Sequence, residues 1–428
     1  MLFPFRNMRD VLGLHAKVSS RKIAVISYNE TQNRQELSYL EFVGKAHQVA
    51  NFLYEDLGIN RGDTLALASP NNENALLLCF ATWVIGASVV LIDLAADDDT
   101  LHSMLLDSEA HILFVDADFL SKIASMSNSV ATIEGIVQMG GERSNDYLRF
   151  EDLAANRPTT FLGDESGAKG ADVPMTGGNE RTARLSDVAL ITYHNQQRIT
   201  RTQGDLLHSA HQYATATALT GNQIALAPLP LHFHFAEAIL APLMFGATVI
   251  ITETFTPDIF WQQLVQNTAH TAILDTIRIE LMVNAAKQHI AEGTMRFGGK
   301  IIQQDTKHFR HIAVFDTALT TQRAHEFEDI FGMPIITGFK HPKTDQLLTL
   351  LPITLAWIHH QTWLHGYDTP TIGSALLSMM ITDADGNTCP ANQHGYLTIN
   401  QTDGTSVNTG VQAYYLTDDD NQAFYFLS

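Results

Sequence analysis

The sequence reads as an α/β protein: two doubly wound α/β subdomains followed by a small β-barrel-like subdomain. Three observations predict this. Strand-like and helix-like segments alternate as far as about residue 350, the pattern of a parallel sheet wrapped by helices. From about Leu351 that pattern gives way to short β segments separated by turns. The chain has 428 residues, 45% of them hydrophobic, enough to bury more than one core. The expected boundaries are 1–185, with a flexible loop at 163–184, then 186–350, then 351–428.

Taken in order, Ser38–Leu57 has helical spacing, with Leu40, Val43, Val49, Phe52 and Leu53 expected on one face. Ser38 is its N-cap, Glu41 the capping-box partner and Gly58 the stop. A short strand begins at Asp63, Pro70 opens a turn, and a helix starts near Glu73. Ala75–Ile92 is 18 residues without a charge, which touches the length of a membrane span. Gly86 divides it into a helix-like half and a β-branched half, so a buried helix feeding a buried strand is the better reading. A strand (Ser88–Ile92), a helix (Asp99–Leu106) and a strand (His111–Val115) follow. Asp97, Asp98 and Asp99 fit a helix start, facing its N-terminal dipole.

Gly163–Arg184 is rich in glycine and charge and has no apolar period. Beyond it come a strand (Asp187–Tyr193), a helix (Leu206–Thr217) and a strand (Gly246–Thr252). A helix (Ile259–Gln266), the apolar run Ala272–Leu274, a helix (Ile277–Gln288) and a strand from His311 complete this part. In the last part, Asp385-Gly386-Asn387 is a hairpin signal, and Asp418-Asp419-Asp420 a solvated turn.

The formal net charge is -20, with no compensating basic stripe, which argues against nucleic acid and anionic lipid as partners. The two cysteines, Cys79 and Cys389, have no metal-ligand spacing and fit a reducing, cytoplasmic compartment. No signal peptide is read at the N-terminus.

Several segments, in order, resemble the adenylate-forming superfamily of acyl-CoA synthetases, aryl-acid ligases and peptide-synthetase adenylation domains. They are LSYLEFVGKAHQVANFLYEDLGINRGDTLALASPNNENALLLCFATWVIGASVVLID, LAPLPLHFHFAEAILAPLMFGATVIIT, FEDIFGMPIITGF and IGSALLSMMITDADGNTCPANQHGYLTI. The resemblance covers nearly the whole chain and implies the large N-terminal part of such a ligase.

That family's chemistry rests on four features. The first is a glycine-rich loop after a strand ending in Tyr, whose backbone amides and Lys hold the ATP phosphates. Here Tyr193 is followed by ten residues without glycine before Gly204, and the loop looks several residues short. Arg198 and Arg201 are either a residual anion site or solvent-exposed loop residues. The second is the adenine turn, Gly-Tyr-Gly followed by Thr-Glu, where Tyr packs on adenine, Thr binds phosphate and Glu binds Mg²⁺. Gly338 and Phe339 match its first half. An ungapped reading puts Pro342 and Lys343 at Thr-Glu, which inverts the charge beside the metal. A two-residue slip offers Thr344 and Asp345 instead. The third is a Thr-Gly-Asp that grips the ribose. Here Thr409 and Gly410 are followed by Val411, which cannot accept a hydrogen bond. The fourth is a mobile C-terminal domain with a catalytic Lys, expected to be absent from a chain that stops at Ser428.

His232, Phe233 and His234 resemble the family's aromatic gate beside an acyl pocket, or else pack at a seam between subdomains. His359, His360 and His365 cluster, but neighbours on a strand point to opposite faces, and no metal site is expected there. The resemblance thus implies a catalytically impaired ligase homologue that binds or scaffolds a protein partner in a biosynthetic pathway. The partner would be an active ligase, a carrier protein or another pathway enzyme, and an acyl or aryl acid is a further possible ligand. No cofactor is then expected. The alternative is a divergent acid-activating ligase that uses ATP and Mg²⁺ and works with a separate C-terminal domain.

Overall fold

The computed structural model describes residues 5–161, 183–194, 196–292, 308–333, 335–352, 370–400, 405–418 and 420–428. The expected loop at 163–184 lies almost wholly outside them, as do His359, His360, His365 and Asp419. The chain divides into two compact units, Met1–His208 with Pro230–Glu253, and Ser209–Leu229 with Thr254–Ser428.

In the first unit a seven-stranded sheet runs Leu148–Arg149, Gly135–Met139, Ile112–Asp116, Thr64–Ala68, Ser88–Leu91, Val188–His194 and Gln197–Thr202. All its pairings are parallel except the last, an antiparallel hairpin. The helix Glu73–Ile85 feeds the strand Ser88–Leu91, and every residue from Ala75 to Ile85 is buried. A helix apolar all round needs protein on every side, and Trp83 shows how it gets it. Its indole Nε1 donates to Ala189 O at 2.6 Å, and its ring meets Phe80 and Phe235 edge-on. Among the described residues no helix is long and apolar enough to cross a membrane. Gly86 caps the helix at φ +90°, where a Cβ would lie 2.9 Å from the Arg61 side chain.

The capping box forms as expected: Glu41 N donates to Ser38 Oγ, and Ser38 N donates to Glu41 Oε2. One residue of that helix differs from expectation. Leu40 is 58% exposed, because Tyr39 and Phe42 supply the buried edge of the first turn. Buried Tyr39 donates its hydroxyl to Ala247 O at 2.6 Å. Sequence periodicity also passed over the strands Ile23–Tyr28 and Arg34–Ser38. The first pairs parallel with Thr248–Thr252 and antiparallel with the second.

In the second unit, Ile224–Ala227, Thr271–Leu274, His311–Val314 and Ile335–Lys340 pair in parallel, and Leu347–Leu350 and Ser374–Ala375 add antiparallel strands. Met379–Thr382, Gly395–Asn400, Ser406–Thr417 and Ala423–Leu427 form a separate antiparallel sheet. Its apolar face includes Ile381, Leu397, Ala413 and Tyr425. The expected hairpin is present, with Gly386 at φ +85° and its N–H donating to Asp383 O.

His311 opens one of the parallel strands fully buried, with Tyr213 Oη 3.3 Å from its Nε2. Burial, and secondarily the Arg310 charge, push its pKa down to about 3. The folded state therefore takes up a proton here less readily than the unfolded chain does. The stability this provides is complete above the unfolded value of about 6.5 and is lost as pH falls towards 3. At about 1.4 kcal/mol per pH unit, the loss approaches 5 kcal/mol over that window. Urea unfolding at pH 7.5 and pH 4.5 should show a large acid destabilisation that His311→Phe flattens. A pH dependence unchanged by the substitution would contradict this.

Candidate functional site

At the first sheet's edge, Tyr193 pairs with Arg198 and His194 with Gln197, so only two positions separate the paired strands. Gln196 has φ +62°, as tight hairpin turns require. The chain on either side of the tip is committed to strand pairing. Tyr193 donates its hydroxyl to Asp107 Oδ2 at 2.7 Å, and burial followed by Asp107 raises its pKa. Arg198 Nη1 lies 3.5 Å from the same carboxylate and 3.8 Å from Glu109 Oε2. Arg201 is 2% exposed and donates from Nη2 to Asp205 O. Both arginines thus bind protein groups, and Arg201 is not a solvent-exposed loop residue.

In the second unit the strand Ile335–Lys340 turns back into Leu347–Leu350. Gly338 is needed for close approach: a Cβ there would sit 2.8 Å from the Phe315 ring and 2.9 Å from Thr349 O. Phe339 is 4% exposed and belongs to a core with Leu348, Ile372, Ile381, Cys389, Leu397, Ala413 and Tyr425. His341 organises the turn. Its backbone N–H donates to Gln346 O, and its Nδ1 accepts from the N–H groups of Lys343 and Thr344. Burial, then the Lys343 charge, lowers the His341 pKa, which keeps Nδ1 free to accept. Thr344 is exposed. Asp345 has φ +51°, and its Oδ1 lies 2.8 Å from Lys340 Nζ. The Lys340 side chain is 6% exposed.

Thr409 donates its hydroxyl to Leu397 O at 2.8 Å, and Gly410 follows at φ +76°. Val411 packs against the core that contains Phe339. The fold therefore brings two sequence-predicted positions, Phe339 and Val411, onto one apolar cluster.

In the first unit, His232 Nε2 lies 3.8 Å from Asp93 Oδ1, and its ring is 4.2 Å from that of Phe233, which is 36% exposed. His234 has φ +53° and accepts N–H bonds from Glu237 and Ala238 at the start of the π-helical turn Ala236–Leu240.

A cavity of about 410 Å³ in the same unit is lined by none of these positions. Glu30, Glu73, Asp116, Asp118 and Glu253 line it, with no lysine or arginine among the described residues. Burial raises the pKa of Asp116 and of Glu253, and neighbouring carboxylates add to both shifts. Sequence reasoning missed these residues. Asp116 ends one parallel strand and Glu253 follows another, where α/β sheets commonly open to ligands.

Residues 14–407 match the family model described as AMP-binding enzyme. A crotonobetaine/carnitine–CoA ligase of Shigella dysenteriae is 24% identical over 348 residues, 79% of this chain, and this chain spans 61% of that ligase's length. A 127-residue stretch is 28% identical to the N-(5-amino-5-carboxypentanoyl)-L-cysteinyl-D-valine synthase of Penicillium rubens, covering 30% of this chain and 3% of that protein. The crystal structure of a long-chain-fatty-acid–CoA ligase from Archaeoglobus fulgidus superposes with a TM-score of 0.79 at 15% identity, covering 100% of this chain and 85% of that one.

The packing of Val411 gives a direct test. Val411→Asp places a carboxylate against apolar groups and should destabilise the protein by about 1–3 kcal/mol in urea unfolding. A variant as stable as the parent would show that this position faces water.

Proposed function

Because the chain belongs to the AMP-binding enzyme family, we propose that it is a member that does not activate an acid with ATP and acts as a binding or scaffolding partner in a biosynthetic pathway. The single observation that carries this reading is the two-residue reversal between Tyr193 and Arg198. A phosphate cradle needs several consecutive N–H groups turned inward, and a two-residue reversal leaves little chain from which to build one. The ribose position points the same way, since Val411 offers no acceptor and packs, partly buried, against an apolar core. Phe339 is likewise held among apolar side chains. On this reading these residues do not fit ATP.

The chemistry left to such a protein is recognition. Two of the similar proteins are CoA ligases, so the partner class we propose is an active ligase, a carrier protein or another enzyme of the same pathway.

Calorimetry with Mg²⁺ and ATP tests this, paired with an assay for acid-dependent pyrophosphate release. The expected result is no ATP binding at millimolar concentration and no pyrophosphate with fatty or aryl acids. Micromolar affinity, or pyrophosphate release with any acid, would favour the divergent ligase and overturn the proposal.

A further inference from the structure

We propose that Lys340 is a tethered counter-ion that holds Asp345 and excludes a divalent cation from this turn. The inference rests on reading the turn at residues 338–345 as the family's adenine and metal segment.

Two alignments of that segment are possible, and both end at an ammonium group. Read without a gap, the position of the metal carboxylate is Lys343 itself, which is exposed. Read with a two-residue slip, it is Asp345, and the Asp345 carboxylate already has a cation 2.8 Å away in Lys340. The pairing is built into the hairpin. Lys340 is the last residue of its strand, opposite Leu347. The chain between them doubles back through Asp345 at φ +51°, with Asp345 N–H donating to His341 O. That conformation is uncommon for a residue with a Cβ, and here it brings the carboxylate back to the end of the strand it left.

Burial makes the lysine hard to displace. Its side chain is 6% exposed, against 28% for Asp345. A lysine ammonium so far from water is costly to separate from its anionic partner. A Mg²⁺ or Mn²⁺ ion arriving at Asp345 would take that partner and face the ammonium at contact distance. Divalent ions of this kind also demand several oxygen ligands in fixed geometry, and Lys340 and Lys343 contribute none.

Paramagnetic broadening of the Thr344 methyl signal by Mn²⁺ alone reports directly on this turn. In the native protein the signal should respond equally with Asp345 and with Asp345→Asn. In Lys340→Met the Mn²⁺ concentration for half-broadening should fall at least tenfold, and adding Asp345→Asn should reverse that gain. Native protein that broadens more readily than its Asp345→Asn variant would overturn the inference, even where Lys340→Met does not fold. A folded Lys340→Met that behaves like the native protein would also overturn it. The result is separable from the proposed function. ATP binding that ignores Mg²⁺ and disappears in Lys340→Met would contradict the proposed function while supporting a lysine in the metal's place.

Discussion

How soon the chain turns back after Tyr193 constrains what this edge of the first sheet can bind. Hairpin register follows from turn length, and side-chain direction alternates along each strand. With two residues at the tip, Tyr193 must face Arg198. That places both side chains beside Asp107, which accepts from the tyrosine hydroxyl and pairs with the guanidinium. A longer loop would free backbone N–H groups to point at an anion; a short one commits them to the ladder.

Packing within the chain also engages the corresponding positions of the second unit. Phe339 and Val411 lie far apart in sequence and meet the same apolar cluster. Valine contributes burial at a position where a carboxylate would be costly without a ligand to bind. Lys340 and Asp345 satisfy each other. Groups at these positions are thus complemented from within the chain, which suits a protein whose stability does not depend on a bound nucleotide.

Much of the fold was legible in the sequence because its signals are local. Ser38 and Glu41, three positions apart, announce a capping box, and Gly86 between a helical and a β-branched run announces a stop. The strand Arg34–Ser38 was not legible, since three of its five residues are exposed and its pattern is not that of a core strand. The cavity residues Glu30, Asp116 and Glu253 were missed because three separate strand ends bring them together. Burial of Lys340 could not be read either. Lysine is ordinarily exposed, and its partner is supplied by a positive-φ residue five positions on.

On the proposed function, the hairpin at 188–202 and the turn at 335–350 answer to no nucleotide. Hydrogen–deuterium exchange at peptide resolution, with and without millimolar Mg²⁺ and ATP, addresses both at once. Identical exchange in the two segments is expected under either condition. Slowed exchange in both upon adding nucleotide would contradict it.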